Sequence, residues 1–309
     1  GLQLFFNGPE AFTPDGTFYL GESPEVDQCF VAAGFNSVGI QTAGGAGWVL
    51  ADWIVDRYPP MDLSGADIRR SFPFQNDRCY LEERISESLG LLYAMHWPFR
   101  QYESARGARK SALHESFDAA GAVFGETAGW ERPNWFADHG QAREYEYSYG
   151  KQNWHSNMQA ECEAVRNGVG LFDQSSFAKF LVKGPEALAV LEQLSANLID
   201  VDPGIGVYTQ WLNERGGIEA DLTVTRLTRD EFWVITSAAS QTRDWAWLRR
   251  ACRSRSVEIF DITEDLSVLG VMGPRSRELL QMAAHLDLSN ESCSFGSLSA
   301  IDIAGVSCN

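Results

Sequence analysis

An α+β fold, built from interleaved α/β elements, is predicted for this 309-residue chain by three observations. First, strand-like and helix-like runs alternate: FAKFLVKG, from Phe177, has the period of a strand, and PEALAVLEQLSA follows it with Pro185 suited to the first helical position. Second, YTQWLN and EADLTVTRL flank ERGG, which reads as a hairpin, and EFWVIT adds a strand. Third, a strand, the pattern V-x-G-P and a helix occur twice, in LVKGPEALAVLEQL and VLGVMGPRSRELL, as an internal structural echo.

Along the chain, residues 1–63 read as short strands and tight turns followed by one helix. NGPE and TPDG are turns, because Pro sets φ and Gly accepts positive φ. CFVAAGF, 29–35, has strand length. WVLADWIVD, 48–56, carries apolar residues at helical spacing and is stopped by Pro59 and Pro60. Residues 64–111, rich in Arg and Glu, read as an irregular connector. Arg69, Arg70, Arg106, Arg109 and Lys110 there read as solvated charge or inter-domain pairs. Residues 112–309 form a longer third unit, with a helix at 154–168 ending on Gly168. Both ends read as cuts through folded domains, so the sequence is expected to be an internal piece of a longer protein.

Composition is that of a globular protein, 44% hydrophobic and 22% charged. No apolar run approaches the roughly 20 residues of a membrane span. The net charge of −17 argues against nucleic acid and anionic membranes as partners. The six cysteines form no C-x-x-C pair and have no histidine at ligand spacing, so no metal site is expected, and scattered thiols suit a reducing compartment.

GFNSVGIQTAGGAG, Gly34 to Gly47, runs from a strand into a helix. Free N–H groups and the positive end of a helix dipole converge at such a junction and suit an anion. Gly45 and Gly47 fit the start of G-x-G-x-x-G, but Leu50 stands at the third glycine. A dinucleotide phosphate, the electron-rich edge of a reduced flavin, and a packing turn with no ligand all remain open from spacing alone. In the hairpin, Asp221 follows the Gly216–Gly217 turn beside apolar Leu222 and Val224. A carboxylate there can hold a polar heterocycle or act as a base, or be an ordinary surface aspartate.

NGPEAFTPDGTFYLGESPEV and FVAAGFNSVGIQTAGGAGWVLADWI resemble the C-terminal end of the D-amino-acid-oxidase class of flavoproteins, and more narrowly the dimethylglycine and sarcosine dehydrogenases. The resemblance implies that Gly34, Phe35, Asn36, Ser37, Val38, Gly39 and Ile40 lie against FAD. That family's dinucleotide fingerprint and its flavin-linking histidine are not in this sequence. LHESFDAAGAVFGETAGWERPNWF, AVRNGVGLFDQSSFAKFLVKGPEAL and LNERGGIEADLTV resemble, in order, the glycine-cleavage T-protein, an aminomethyltransferase that binds tetrahydrofolate. This implies a catalytic role for Asp221 beside the pterin, with Tyr208, Asn213, Phe177 and Lys179 lining the folate cavity. FAKF stands where that family commonly has FGKF.

The two resemblances in this order imply the end of an FAD domain at 1–63, a central connector at 64–111, and an incomplete folate-binding domain at 112–309. They imply oxidative demethylation of sarcosine or dimethylglycine, with the carbon passed to tetrahydrofolate and an unspecified electron acceptor. The piece alone is expected to be inactive. The expected compartment is bacterial cytoplasm or mitochondrial matrix. The alternatives are a flavin-free aminomethyltransferase, a folate-dependent demethylase acting on another methyl donor, and a non-catalytic scaffold.

Overall fold

The computed structural model describes residues 3–5 and 7–309; Gly1, Leu2 and Phe6, part of the opening run, lie outside the described residues. The chain forms two compact units, one ending at Arg106 and one from Gly107 to Asn309.

In the first unit, β1 (Tyr19–Glu22) pairs antiparallel with β2 (Phe30–Ala33), and α1 (Gly39–Asp56) follows. Its helix begins at Gly39, not at Trp48. Ala46, Val49 and Trp53 fall at helical spacing on one buried face, which carries the helix back through the glycines. The core joins Leu20, Ala46 and Val49 to Phe18, Phe35 and Leu50. Gly21, at φ 115°, lies so close to Trp53 that a Cβ would come within 2.4 Å of its ring. Arg57 in the left-handed region ends the helix by donating its N–H to Trp53 O.

Two 3-10 turns (Ile68–Arg70 and Pro73–Asn76) lead into α2 (Arg78–Leu91), capped by Asp77. This helix replaces the irregular connector expected from sequence. Its buried stripe is Tyr80, Arg84 and Ser88, which has helical spacing but no apolar periodicity. Arg84 stands over the rings of Tyr80 and Tyr102 and donates to Ser104 O, and Ser88 Oγ donates to Pro14 O. Nor are Arg69 and Arg70 solvated charge. Buried Arg69 pairs with Asp67 at 2.6 Å and lies over Trp53, and Arg70 pairs with Asp15 at 2.6 Å.

The second unit opens with α3 (His114–Ala119) and the hairpin of β3 (Ala122–Thr127) and β4 (Trp130–Phe136). Helix α4 (His155–Asn167) ends on Gly168, as its sequence predicts. Then come β5 (Gly170–Asp173), β6 (Ala178–Lys183), α5 (Ala187–Leu194), β7 (Gly206–Leu212), β8 (Ile218–Arg226) and β9 (Glu231–Thr236). The chain continues through α6 (Gln241–Ala251), β10 (Glu258–Asp261), β11 (Leu269–Met272), α7 (Ser276–Ala284), β12 (Ile301–Ile303) and β13 (Val306–Cys308). Pro185 precedes the Glu186 N-cap of α5 instead of occupying its first turn.

A five-stranded antiparallel sheet, in the order β10-β6-β9-β8-β7, carries the main core. Alternation sends Phe180, Val182, Trp211, Leu222, Val224, Phe232 and Val234 to one face, where Val190 and Leu191 of α5 and Leu248 of α6 cover them. Each large apolar side chain buried there contributes roughly 1.5–3 kcal/mol. The opposite face is therefore free to carry polar groups. Strand β11 pairs with β5, repeating the strand-then-helix arrangement with α7.

Candidate functional site

The open face of the sheet is organised by register. Lys179 is opposite Ile235, Ile235 opposite Thr223, and Thr223 opposite Tyr208, so the four form one row across β6, β9, β8 and β7. At the usual strand spacing this row spans about 14 Å. Asp221 and Gln210 pair in the adjacent row. Phe177, one residue before β6, falls in that row when the register is continued.

Gln210 Nε2 donates to Asp221 Oδ1 at 3.1 Å. Asp221 beside the Tyr208 hydroxyl pushes the phenol pKa up and keeps it a donor. Tyr208, Gln210 and Asp221 thus form one solvent-facing cluster. Gln210 was not singled out from sequence, although period-2 alternation from Tyr208 puts it on the same face. Asn213 is used differently. Its Oδ1 accepts from the N–H groups of Arg215 and Gly217, at 3.0 and 2.9 Å, and its Nδ2 donates to Glu219. Its side chain shapes the hairpin turn that sets the β7–β8 register, with Gly216 at φ 78°.

Lys179 is only 2% exposed. Its Nζ donates to Ser175 O at 2.8 Å and Phe177 O at 2.9 Å, fastening the turn between β5 and β6. Burial pulls its pKa down to about 8, against the opposing pull of Asp261; Arg109 lowers it further and Asp173 raises it. A neutral amine has two N–H groups, matching the two carbonyls; an ammonium has a third. Behind it, Gln241 joins Asp261 to Arg109, which also pairs with Glu264 and stacks on Trp130 at 4.3 Å. Arg109, like Arg69, is an enclosed ion-pair partner rather than a solvated charge. The Phe177–Lys179 and Tyr208–Asp221 pairs are brought to the same face but stand on strands separated by β9.

In the first unit, the loop from Gly34 to Val38 is shaped from within. Gly34, Asn36 and Ser37 have φ of 64°, 49° and 65°. Asn36 is buried; its Oδ1 accepts from Thr13 N–H at 2.9 Å, and its Nδ2 donates to Gly34 O at 2.6 Å and to Thr13 Oγ1 at 3.2 Å. Phe35 stacks on Phe18 at 5.0 Å. Asn36 and Phe35 are thus committed to the protein. What faces outward is Ser37, the fully exposed Ile40 and the start of α1, which has no side-chain cap and no acid in its first turn. Uncapped backbone N–H groups at the positive helix end fit the electron-rich edge of a flavin. Among the described residues, no group of three His, Cys, Asp or Glu could hold a metal ion, and no helix is long and apolar enough to cross a membrane. Burial pushes the Cys252 thiol pKa up to about 11, away from the thiolate form.

The second unit's sheet, with Tyr208, Gln210 and Asp221 on its open face, is of the kind that an aminomethyltransferase-type domain carries. The chain belongs to the GCVT N-terminal domain family, whose model matches residues 113–309; residues 58–111 match the FAD dependent oxidoreductase central domain. It is 47% identical over 291 residues to the 4-methylaminobutanoate oxidase (formaldehyde-forming) of Paenarthrobacter nicotinovorans, covering 94% of this chain and 35% of that protein. It is 33% identical over 345 residues to the mitochondrial sarcosine dehydrogenase of Mus musculus, covering 99% and 38%. It is also 35% identical over 289 residues to the mitochondrial pyruvate dehydrogenase phosphatase regulatory subunit of Mus musculus, covering 92% and 33%. The chain therefore spans about a third of the length of the curated relatives it matches.

Proposed function

We propose that the full-length protein oxidatively demethylates an N-methylated amino acid, such as sarcosine or dimethylglycine, using FAD, and passes the one-carbon unit to tetrahydrofolate. The observation that carries this reading is the Tyr208–Gln210–Asp221 cluster on the open face of a GCVT-family sheet. The similarity to two N-methylamine oxidoreductases supports the oxidative half. A bound FAD would supply hydride acceptance, the chemistry that turns the N-methylamine into an iminium.

The residues then divide the work. Gly34, Phe35, Asn36, Ser37 and Val38 lead into the first turn of α1, which opens with Gly39 and Ile40 and supplies positive potential without a titrating group. Asp221, oriented by Gln210 and Tyr208, accepts hydrogen bonds from the pterin and draws a proton from the attacking folate nitrogen. Phe177 and Lys179 border the same face, and Asn213 holds the hairpin that presents Asp221. Capture of the carbon gives 5,10-methylenetetrahydrofolate; hydrolysis gives formaldehyde and the demethylated amine. A mitochondrial location is the reading for a eukaryotic source, and the cytoplasm for a bacterial one.

The test is the fate of a labelled N-methyl carbon in the full-length protein, with and without tetrahydrofolate. The reading expects formaldehyde without it and methylenetetrahydrofolate with it. Oxidation whose products ignore tetrahydrofolate sinks the folate half. The regulatory-subunit relative favours a second reading, a non-catalytic binding protein, which expects no turnover in either case.

A further inference from the structure

Beyond the row of Lys179, Ile235, Thr223 and Tyr208, the open face carries another. Phe260 is opposite Leu181, Leu181 opposite Trp233, Trp233 opposite Thr225, and Thr225 opposite Gly206, across β10, β6, β9, β8 and β7. Alternation puts this row on the side of Asp221 and Tyr208. Thr223 is two residues from Asp221 and Thr225 two further on, while Leu222 and Val224 between them point to the core. On β9, Phe232 and Val234 on either side of Trp233 also belong to the core, so the indole stands on the opposite face. Trp211, on the core side of β7, is fully buried; Trp233 and Leu181 are half-buried and Phe260 is exposed.

The face therefore changes character along a diagonal. Asp221, Gln210 and Tyr208 make a polar corner. Thr223 and Ile235, both half-buried, form the middle. Trp233, Leu181 and Phe260 make an apolar end. Ordinary strand spacing puts the Trp233 Cα about 14 Å from that of Asp221, one strand across and four residues along. Tetrahydrofolate has its parts in the same order: a pteridine with a polar edge, a short link, and a benzoyl ring. With the pteridine edge at Asp221, the benzoyl ring falls toward the row of Trp233. An indole presents a flat apolar face to such a ring.

We propose that Trp233 is the platform on which the benzoyl ring of tetrahydrofolate stacks when Asp221 holds the pteridine. The inference rests on the folate reading given above and adds to it the residue that recognises the second ring.

The experiment uses the full-length protein and its Trp233→Ala, Trp233→Leu and Trp233→Phe variants. The probes are tetrahydrofolate and a methyltetrahydropterin, which has the reduced pteridine and lacks the benzoyl ring. Three quantities are read: the KM for tetrahydrofolate in methylenetetrahydrofolate formation, the inhibition constant of the pterin in that assay, and the melting temperature. Trp233→Ala is expected to raise the KM roughly 2- to 10-fold, the range of an aromatic stacking contact, and to leave the pterin's inhibition constant unchanged. Trp233→Phe is expected to restore most of the KM and Trp233→Leu less. An unchanged KM in Trp233→Ala overturns the inference. So does an inhibition constant that rises in step with the KM, which makes the residue act on the pteridine or through the sheet. Full rescue by Leu, or a KM that follows the melting temperature across the three variants, also overturns it, since either makes Trp233 a packing residue. Wild-type transfer of the methyl carbon to tetrahydrofolate is measured in the same assay. Its absence is a failure of the functional reading, whereas normal transfer with an indifferent Trp233 is a failure of this inference alone.

Discussion

The strand-to-helix junction at Gly34–Ile40 and the open face around Asp221 are built by opposite means. At the junction the polar side chain, Asn36, is buried and fully bonded to Thr13 and Gly34, and what faces outward is mainly backbone at an uncapped helix start. On the sheet the backbone is consumed by the ladder, and what faces outward is side chains: Tyr208, Gln210 and Asp221. A backbone site is sensitive to whatever shapes the loop. A side-chain site on a covered sheet can lose its functional groups without loss of fold.

The largest stability effect expected from this contrast is at Asn36. Asn36→Ala removes bonds to a buried backbone N–H and to a buried hydroxyl, and puts a Cβ residue without a local amide at φ 49°. It should cost about 2–3 kcal/mol. Asn36→Gly, which relieves only the backbone strain, should recover a minority of that loss. Chemical denaturation of the full-length variants measures both; recovery of the whole loss by Gly would mean that the side-chain bonds contribute nothing.

Next comes Lys179, at the buried edge of the sheet site. Its folded pKa, about 8, lies below the ordinary 10.5. Below pH 8 the group is protonated both folded and unfolded, so its penalty is constant. Between 8 and 10.5 the unfolded chain binds more protons, so stability rises with pH, by at most about 1.4 kcal/mol per unit. Lys179→Met should lose that rise. Equal pH slopes for the two proteins between pH 8 and 10 would show that the amine is not desolvated in solution.

A smaller effect is expected at Ser88, whose hydroxyl donates to Pro14 O in a buried contact. Ser88→Ala should lower stability by about 1 kcal/mol, read as a shift in denaturation midpoint. Least of all, Tyr208→Phe and Gln210→Ala should change stability by under about 0.5 kcal/mol, because both face solvent. They should still weaken folate-dependent capture. A stability loss like that of Asn36→Ala at either position would remove the distinction between the two kinds of site.

The same distinction explains what was legible in the sequence. The Gly216–Gly217 hairpin and Asp221 on its return strand follow from turn chemistry; Tyr208 as a neighbour of Asp221 came from the T-protein resemblance, and Gln210 was available from period-2 alternation. The early start of α1 was hidden because glycines argue locally for a loop, whereas Ala46, Val49 and Trp53 pack as a helix. Helix α2 was hidden because its buried stripe is Tyr80, Arg84 and Ser88 rather than leucines and valines. Arg69, Arg70 and Arg109 read only as solvated charge or inter-domain pairs because their partners Asp67, Asp15 and Glu264 are defined by packing; for the last two the partner is far away in sequence.

The central claim, that Asp221 belongs to one-carbon capture and to no part of amine oxidation, is tested most directly by Asp221→Asn in the full-length protein. Labelled N-methyl carbon is followed into formaldehyde and methylenetetrahydrofolate at saturating tetrahydrofolate. The account predicts an unchanged rate of amine oxidation, about 100-fold less methylenetetrahydrofolate, and formaldehyde in its place. Undiminished methylenetetrahydrofolate, or an equal fall in oxidation and capture, would contradict it.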